Sequence, residues 1–94
     1  MDKAEARALA RTKVEALRGV SWSELRERYL DDSETVEVSS PSGTTYQVET
    51  SAVWDGEKEG ALRVIVAVDD GGWRAFIPLS EDFIIAPDSS FVDE

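Results

Sequence analysis

The spacing of apolar residues changes once along the chain. Up to about residue 30 they recur at helical spacing, and from Thr35 onward they alternate with polar residues. Asp2–Arg18 is rich in residues that favour helices, and a second helical segment runs from about Trp22 to Leu30. Between the two segments, Ser21 and Glu24 have the S-x-x-E spacing of a capping box. The pattern predicts two short helices joined by a tight corner.

Alternation over Val36–Val38, Tyr46–Trp54 and Leu62–Val68 predicts β-strands with one apolar face. The Pro-Ser-Gly sequence at 41–43 is typical of a turn, because proline fixes φ and glycine accepts a positive φ. A three-residue loop there places Val38 opposite Tyr46 on the apolar face. These strands therefore form the start of an antiparallel meander.

A second hairpin is predicted at Asp70-Gly71, because an Asp-Gly pair between alternating runs is a strong signal for a two-residue turn. With this turn, Val68 pairs with Trp73 on the apolar face. Ile65 then pairs with Phe76 on the opposite face. The segment after the turn is thus predicted to be the fourth strand.

The order of elements predicts an α+β fold. Two N-terminal helices pack on one face of an antiparallel meander sheet of about four strands, and a C-terminal hairpin or an extended tail follows Pro78. A single domain is expected over residues 1–94, with a helical part at 1–31 and a sheet part at 34–94. The predicted core contains Leu9, Val14, Leu17, Trp22, Leu25, Tyr29, Val36, Val38, Tyr46, Val48, Ala52, Trp54, Leu62, Val64, Val66, Val68, Trp73, Ala75 and Ile77.

The sheet face away from the helices is predicted to have an apolar strip with Ile65 and Phe76 at its centre. An apolar strip of this kind is rarely left bare in a monomer. We expect the chain's own Phe83–Ile85 and Phe91 to cover it. A symmetric homodimer through the same face is the alternative.

Charge is divided unevenly along the chain. Residues 1–30 have seven basic and five acidic side chains, whereas residues 31–94 have three basic and fifteen acidic, and the whole chain has a net charge of −10. Such acidity disfavours nucleic acid and anionic membranes as partners and favours a basic protein partner. The sequence has no cysteine and no segment long enough to span a membrane, and residues 1–19 lack the apolar core of a secretory signal and are expected to form a structural helix. A cytoplasmic location is predicted.

Few residue types in the chain could support catalysis. The sequence contains neither cysteine nor histidine, which removes thiol nucleophiles, Cys/His zinc sites and histidine bases. Acidic neighbours occur at Asp31/Asp32, Asp69/Asp70 and Glu81/Asp82. Neighbours in a strand point to opposite faces, so such pairs seldom share a site. We therefore predict no catalytic residue, no metal ligand and no cofactor.

Aromatic residues beside acidic loops point to binding instead. Trp54 and Trp73 lie at predicted strand ends, and tryptophan is common at interface hot spots, although packing within the sheet is the other interpretation of both. The candidate interface residues are Trp54, Asp55, Ile65, Asp70, Trp73 and Phe76. The predicted function is a small, acidic, non-catalytic interaction protein, immunity- or adaptor-like. The alternative is a small enzyme or ligand-binding domain that uses carboxylates.

The last third of the chain contains three motifs: DDGG at Asp69–Gly72, RAFIPL at Arg74–Leu79 and a tail of the form DFIxAPDxSFV at Asp82–Val92. Together they resemble a family of small bacterial domains of unknown function. In such tails a glycine is expected at the second turn position, where Ser89 stands here. The resemblance implies a bacterial origin and no activity.

Overall fold

The computed structural model describes residues 2–71 and 78–92. Helices α1 (Lys3–Leu17) and α2 (Trp22–Tyr29) precede the strands. The strands are β1 (Glu34–Ser39), β2 (Thr45–Trp54), β3 (Leu62–Asp69) and β4 (Leu79–Ile85). Within the described residues they form one antiparallel sheet in the order β1-β2-β3-β4, and both helices pack against it. The predicted α+β meander with two N-terminal helices is confirmed.

Side-chain caps set the start of each helix. Asp2 Oδ1 accepts a hydrogen bond from the Glu5 N–H at 3.1 Å, and Ser21 Oγ accepts one from the Glu24 N–H at 3.3 Å. The second bond is the Ser21 half of the predicted capping box. The Glu24 carboxylate turns the other way, with Oε2 3.5 Å from Arg28 Nη2. Helix α2 therefore begins at the predicted residue.

The core lies between the helices and one face of the sheet. Helix α1 packs on β3 and β4, and α2 packs on β2 and β3. Ala6 and Ala10 are fully buried, so the α1 backbone lies close to the strands. The other buried apolar residues are Leu17, Leu25, Tyr29, Tyr46, Val48, Ala52, Leu62, Val64, Val66, Val68, Phe83 and Ile85. Among the described positions, the predicted core is confirmed except at the sheet edge, where Val36 is 42% exposed because β1 extends past the helices.

The fourth strand is not the segment that was predicted. Both sides of β3 are occupied, one by β2 and the other by β4. On the β4 side Ile65 lies opposite Asp82, and Val68 lies opposite the first residue of β4. The predicted pairs of Val68 with Trp73 and of Ile65 with Phe76 are therefore wrong, since those places are taken.

The β1–β2 hairpin has the predicted register. The Ser40 N–H donates to the Thr44 carbonyl and the Gly43 N–H donates to the Ser40 carbonyl, both at 2.9 Å. Gly43 has φ 90°, a left-handed conformation that glycine adopts without a Cβ clash. This is a three-residue turn closed by a bulge, and it places Val38 opposite Tyr46 as expected.

The chain after β4 forms a hairpin, the first of the two predicted alternatives. The Ala86 N–H donates to the Ser90 carbonyl at 2.8 Å, and an antiparallel bridge joins Ile85 to Phe91. The Val92 N–H then donates to the Ile84 carbonyl at 2.9 Å. This terminal segment covers the Ile85 end of the β4 edge.

Ser89 occupies the same place in this turn as Gly43 does in the first. Its φ is 68°, which costs a side-chain-bearing residue some strain. Its Oγ accepts a hydrogen bond at 3.0 Å from the N–H of Trp22, the first residue of α2. The hydroxyl satisfies a helix donor that has no partner within the helix, which a glycine at this position could not do.

Candidate functional site

The sheet face away from the helices is the outer face. Its membership follows from the strand register, because alternate residues of each strand point to opposite sides. It includes Thr35, Glu37, Gln47, Glu49, Ser51, Val53, Arg63, Ile65, Ala67, Asp69, Ser80, Asp82 and Ile84. No described helix packs on it, and Val53 is 49% exposed there.

The outer face is acidic. Among its described residues it has four carboxylates, those of Glu37, Glu49, Asp69 and Asp82, and one guanidinium, that of Arg63. Glu37, Glu49 and Asp82 are exposed. The Gln47 amide, a neutral group, donates to Glu37 Oε2 at 3.2 Å.

Arg63 is held by acidic side chains on both sides. Its Nη1 donates to Asp82 Oδ2 at 2.6 Å, and its Nη2 donates to Asp55 Oδ1 at 2.9 Å. These hydrogen bonds, first that to Asp82 and then that to Asp55, raise the pKa of Arg63. The single described cation of the outer face is thus neutralised, and the acidic character extends to the β2–β3 loop.

Trp54 lies on the helix side rather than on the outer face. Its ring is 6.1 Å from that of Trp22, and the Arg26 guanidinium lies 5.6 Å from its centroid. The Trp22 indole N–H donates to the Gly60 carbonyl at 2.9 Å, and Arg26 Nε donates to Glu59 Oε1 at 2.8 Å. Trp54 is therefore part of the joint between α2 and the β2–β3 loop, which supports the packing interpretation of this tryptophan.

The other candidate interface residues lie apart from one another. Asp55 follows β2 and Asp70 follows β3, so the two lie at opposite ends of the eight-residue strand β3, about 25 Å apart at the rise of a strand. Ile65 lies between them on the outer face, half-buried and flanked by Asp82. Trp73 and Phe76 lie outside the described residues.

The outer strip is not covered by the residues that were expected to cover it. Phe83 and Ile85 are buried on the helix side, and Phe91 packs edge-on against Phe83 with ring centroids 5.9 Å apart. Ile84 instead joins the outer face next to Arg63. The prediction of self-coverage by Phe83, Ile85 and Phe91 is wrong, because the terminal hairpin faces the helices.

A polar cluster around Glu5 was not anticipated from the sequence. Glu5 Oε1 accepts a hydrogen bond from the Tyr46 hydroxyl at 2.8 Å and another from Ser42 Oγ at 2.9 Å. Ser42 Oγ lies 2.8 Å from Ser40 Oγ. These bonds, the Tyr46 bond foremost, lower the pKa of Glu5, while burial and then Glu5 raise the pKa of Tyr46 to about 12. A carboxylate stabilised in this way is a weak base, so the cluster joins α1 to the β1–β2 turn instead of activating Ser42.

Glu5→Gln is expected to lower the melting temperature at pH 7 and to have progressively less effect in acid. The pKa of Glu5 is lower in the folded state, so its carboxylate stabilises the fold above the unfolded pKa, and this contribution is lost as pH falls through the folded pKa. Melting curves from pH 7 to 3 measure the effect. Glu15→Gln, at an exposed position of the same helix, is the control. A difference between wild type and Glu5→Gln that does not change with pH would contradict the assignment.

Glu81 and Asp82, which are neighbours in the sequence, do not share a site. In β4, Glu81 Oε1 accepts from Arg11 of α1 at 3.3 Å, whereas Asp82 points to the outer face and Arg63. Asp69 Oδ1 accepts from the Gly71 N–H at 2.8 Å, a bond that supports the turn. In the described ranges no cluster of three or more acidic side chains is suited to a metal ion.

Two further findings concern the chain as described and its comparison with known proteins. None of the described helices is both long and apolar enough to cross a membrane. Comparisons with protein-family models, with curated proteins and with solved structures found no match for this chain.

Proposed function

We propose that this chain is a small, acidic, non-catalytic binding protein that engages a basic protein partner through the outer face of its sheet. The observation that supports this best is the composition of that face: the exposed carboxylates of Glu49 and Asp82 lie opposite the half-buried apolar residues Ala67 and Ile65 of β3, and a third exposed carboxylate, that of Glu37, lies on β1. An apolar centre with charged groups around it is the usual anatomy of an interface. Its charge selects a cationic partner.

Three arginines of the helical part have acidic partners. Arg11 pairs with Glu81, Arg26 with Glu59 and Arg28 with Glu24. Pairing of these arginines supports the prediction that the chain does not bind nucleic acid, since phosphate binding needs uncompensated cations. A cytoplasmic location and a bacterial origin belong to the same proposal, and the absence of cysteine is compatible with the first.

Two double charge reversals with equal changes in net charge test the proposal. Glu37→Lys with Glu49→Lys alters the outer face, and Glu15→Lys with Glu27→Lys alters exposed positions of the helices. The probe is a polyarginine peptide, titrated at low salt while amide resonances are followed. We expect the outer-face variant to lose about tenfold more affinity than the helix variant, and the wild-type shifts to map to β1–β3.

Equal losses in the two double variants would show that only net charge matters, and the proposed function would then be wrong. Shifts confined to the helices in the wild type would have the same meaning. Unfolding curves of both variants establish that each is folded during the titration.

A further inference from the structure

The two edges of the sheet differ in what covers them. The terminal hairpin pairs with the Ile85 end of β4 through the Ile85–Phe91 bridge and the bond from the Val92 N–H to the Ile84 carbonyl. In the described residues, β1 pairs with β2 on one side and with no strand on the other. All residues of β1 except Val38 are exposed. The backbone of β1 therefore presents a row of N–H and C=O groups along its free edge, the edge that points away from β2 in the plane of the sheet.

The side chains of β1 restrict what can pair with it. Glu34 and Glu37 supply the only charges of the strand, which contains no lysine, arginine or proline. Lys13 Nζ lies 3.2 Å from Glu34 Oε1, whereas Glu37 accepts a hydrogen bond from the neutral Gln47 amide. From residue 29 to residue 57 the sequence contains no lysine or arginine, so the neighbouring strand does not compensate this charge. A second copy of β1 would bring like charges together, which disfavours pairing.

Val36 offers an apolar contact at the same edge, on the helix side of the sheet. It faces the helix side opposite Val48, yet it is 42% exposed because the helices pack on β2, β3 and β4. An added strand would place one set of alternate side chains beside Val36 and the other set beside Glu37. The edge thus matches a strand in which apolar and basic residues alternate.

We propose that the β1 edge accepts an extended segment of the basic partner as a fifth strand, with alternating basic and apolar side chains. This inference rests on the proposed function and specifies how the partner binds. Backbone hydrogen bonds to β1 supply affinity, as in other cases of strand addition. The residues beside Glu37 and Val36 supply the selection for alternating lysine or arginine and aliphatic side chains.

The probe is a capped octapeptide in which lysine and valine alternate, together with two backbone N-methylated forms. One form is methylated at every lysine and the other at every valine, so all three peptides have the same charge. Alternate N–H groups of a strand point to opposite edges, so only one of the two methylated forms can still pair with β1. We expect one form to bind within about threefold of the parent and the other to bind at least about tenfold more weakly.

Two variants of the protein locate the binding. Val36→Ser removes the apolar contact at the edge, and Thr12→Ser, which removes a methyl group at an exposed position of α1, is the control. We expect about tenfold weaker binding of the parent octapeptide to Val36→Ser and less than a twofold change with Thr12→Ser. Both positions are exposed, and a urea unfolding curve for each variant shows that it is folded.

The outcomes separate this inference from the proposed function. If both methylated peptides bind like the parent while polyarginine binding still depends on Glu37 and Glu49, strand addition is wrong and the acidic outer face is supported. If neither polyarginine nor the octapeptide binds, both proposals are wrong. If sedimentation shows a dimer that Val36→Ser dissociates, the occupant of the edge is a second copy, and the inference is overturned.

Discussion

Phe83→Ala is expected to lower the free energy of unfolding by about 3–5 kcal/mol. Phe83 is 6% exposed, lies opposite Val64 and packs edge-on against Phe91 on the helix side of the sheet. The substitution removes a buried aromatic ring. It leaves a cavity on the helix side of the sheet that the surrounding structure closes only in part. Urea unfolding followed by circular dichroism measures the loss.

Ile84→Ala is the matched control for Phe83→Ala. Ile84 is the next residue of β4 but points to the outer face, where it is half-buried. Its truncation is expected to cost about 1 kcal/mol, because less apolar surface is returned to water. A larger loss at Ile84 than at Phe83 would show that β4 does not have this register, since a one-residue slip exchanges the two faces.

The position of β4 shows where sequence reasoning about the fold failed. The turn chemistry at Asp69–Gly71 is present: Gly71 has φ 77° and its N–H donates to Asp69 Oδ1. The local signal did not reveal that the pairing strand begins after Pro78. In the observed register Glu81 lies opposite the apolar Val66, a poor match if only the strands are considered. Arg11 of α1 donates a hydrogen bond to Glu81 and so stabilises its carboxylate beside Val66. The two residues are far apart in sequence, so the strands alone do not indicate this contact.

At the first hairpin, by contrast, the local signal led to a correct prediction. Glycine at position 43 adopts a left-handed backbone without a Cβ clash, and it predicted the register of β1 and β2 without any knowledge of the rest of the fold. Ser89 occupies the same turn position, but a serine in the sequence does not predict a backbone with positive φ. Its stabilising contact comes from the Trp22 N–H, at the start of a helix much earlier in the chain.

The positions of the candidate interface residues in the fold could be predicted only in part for the same reason. Alternation alone assigns Ile65 to a strand and Asp55 to the loop that follows the preceding strand. The role of Trp54 depends on Trp22 and Arg26 of α2, whose approach to the β2–β3 loop no spacing rule indicates. The charge of the outer face follows from composition, whereas the open edge at β1 becomes visible only when the strand order is known.

Thr50→Val is expected to raise the free energy of unfolding by about 1–2 kcal/mol, an unusual direction for a core substitution. Thr50 is fully buried on the helix side of β2, opposite Val66. Its hydroxyl oxygen has no hydrogen-bond partner among the described residues. The folded state therefore bears the cost of removing this hydroxyl from water without a compensating bond, and valine replaces it with a methyl group of similar size.

Thr50→Ser separates the hydroxyl from the methyl group. Serine keeps the unpaired hydroxyl and loses the methyl contact, so we expect a loss of about 1 kcal/mol where valine gives a gain. Ala52→Ser, which adds a hydroxyl at the next inward position of the same strand, is expected to destabilise for the same reason. If Thr50→Val unfolds at lower urea than the wild type, the hydroxyl has a partner in solution, and the interior of the sheet is more polar at this position than the contacts of Thr50 indicate.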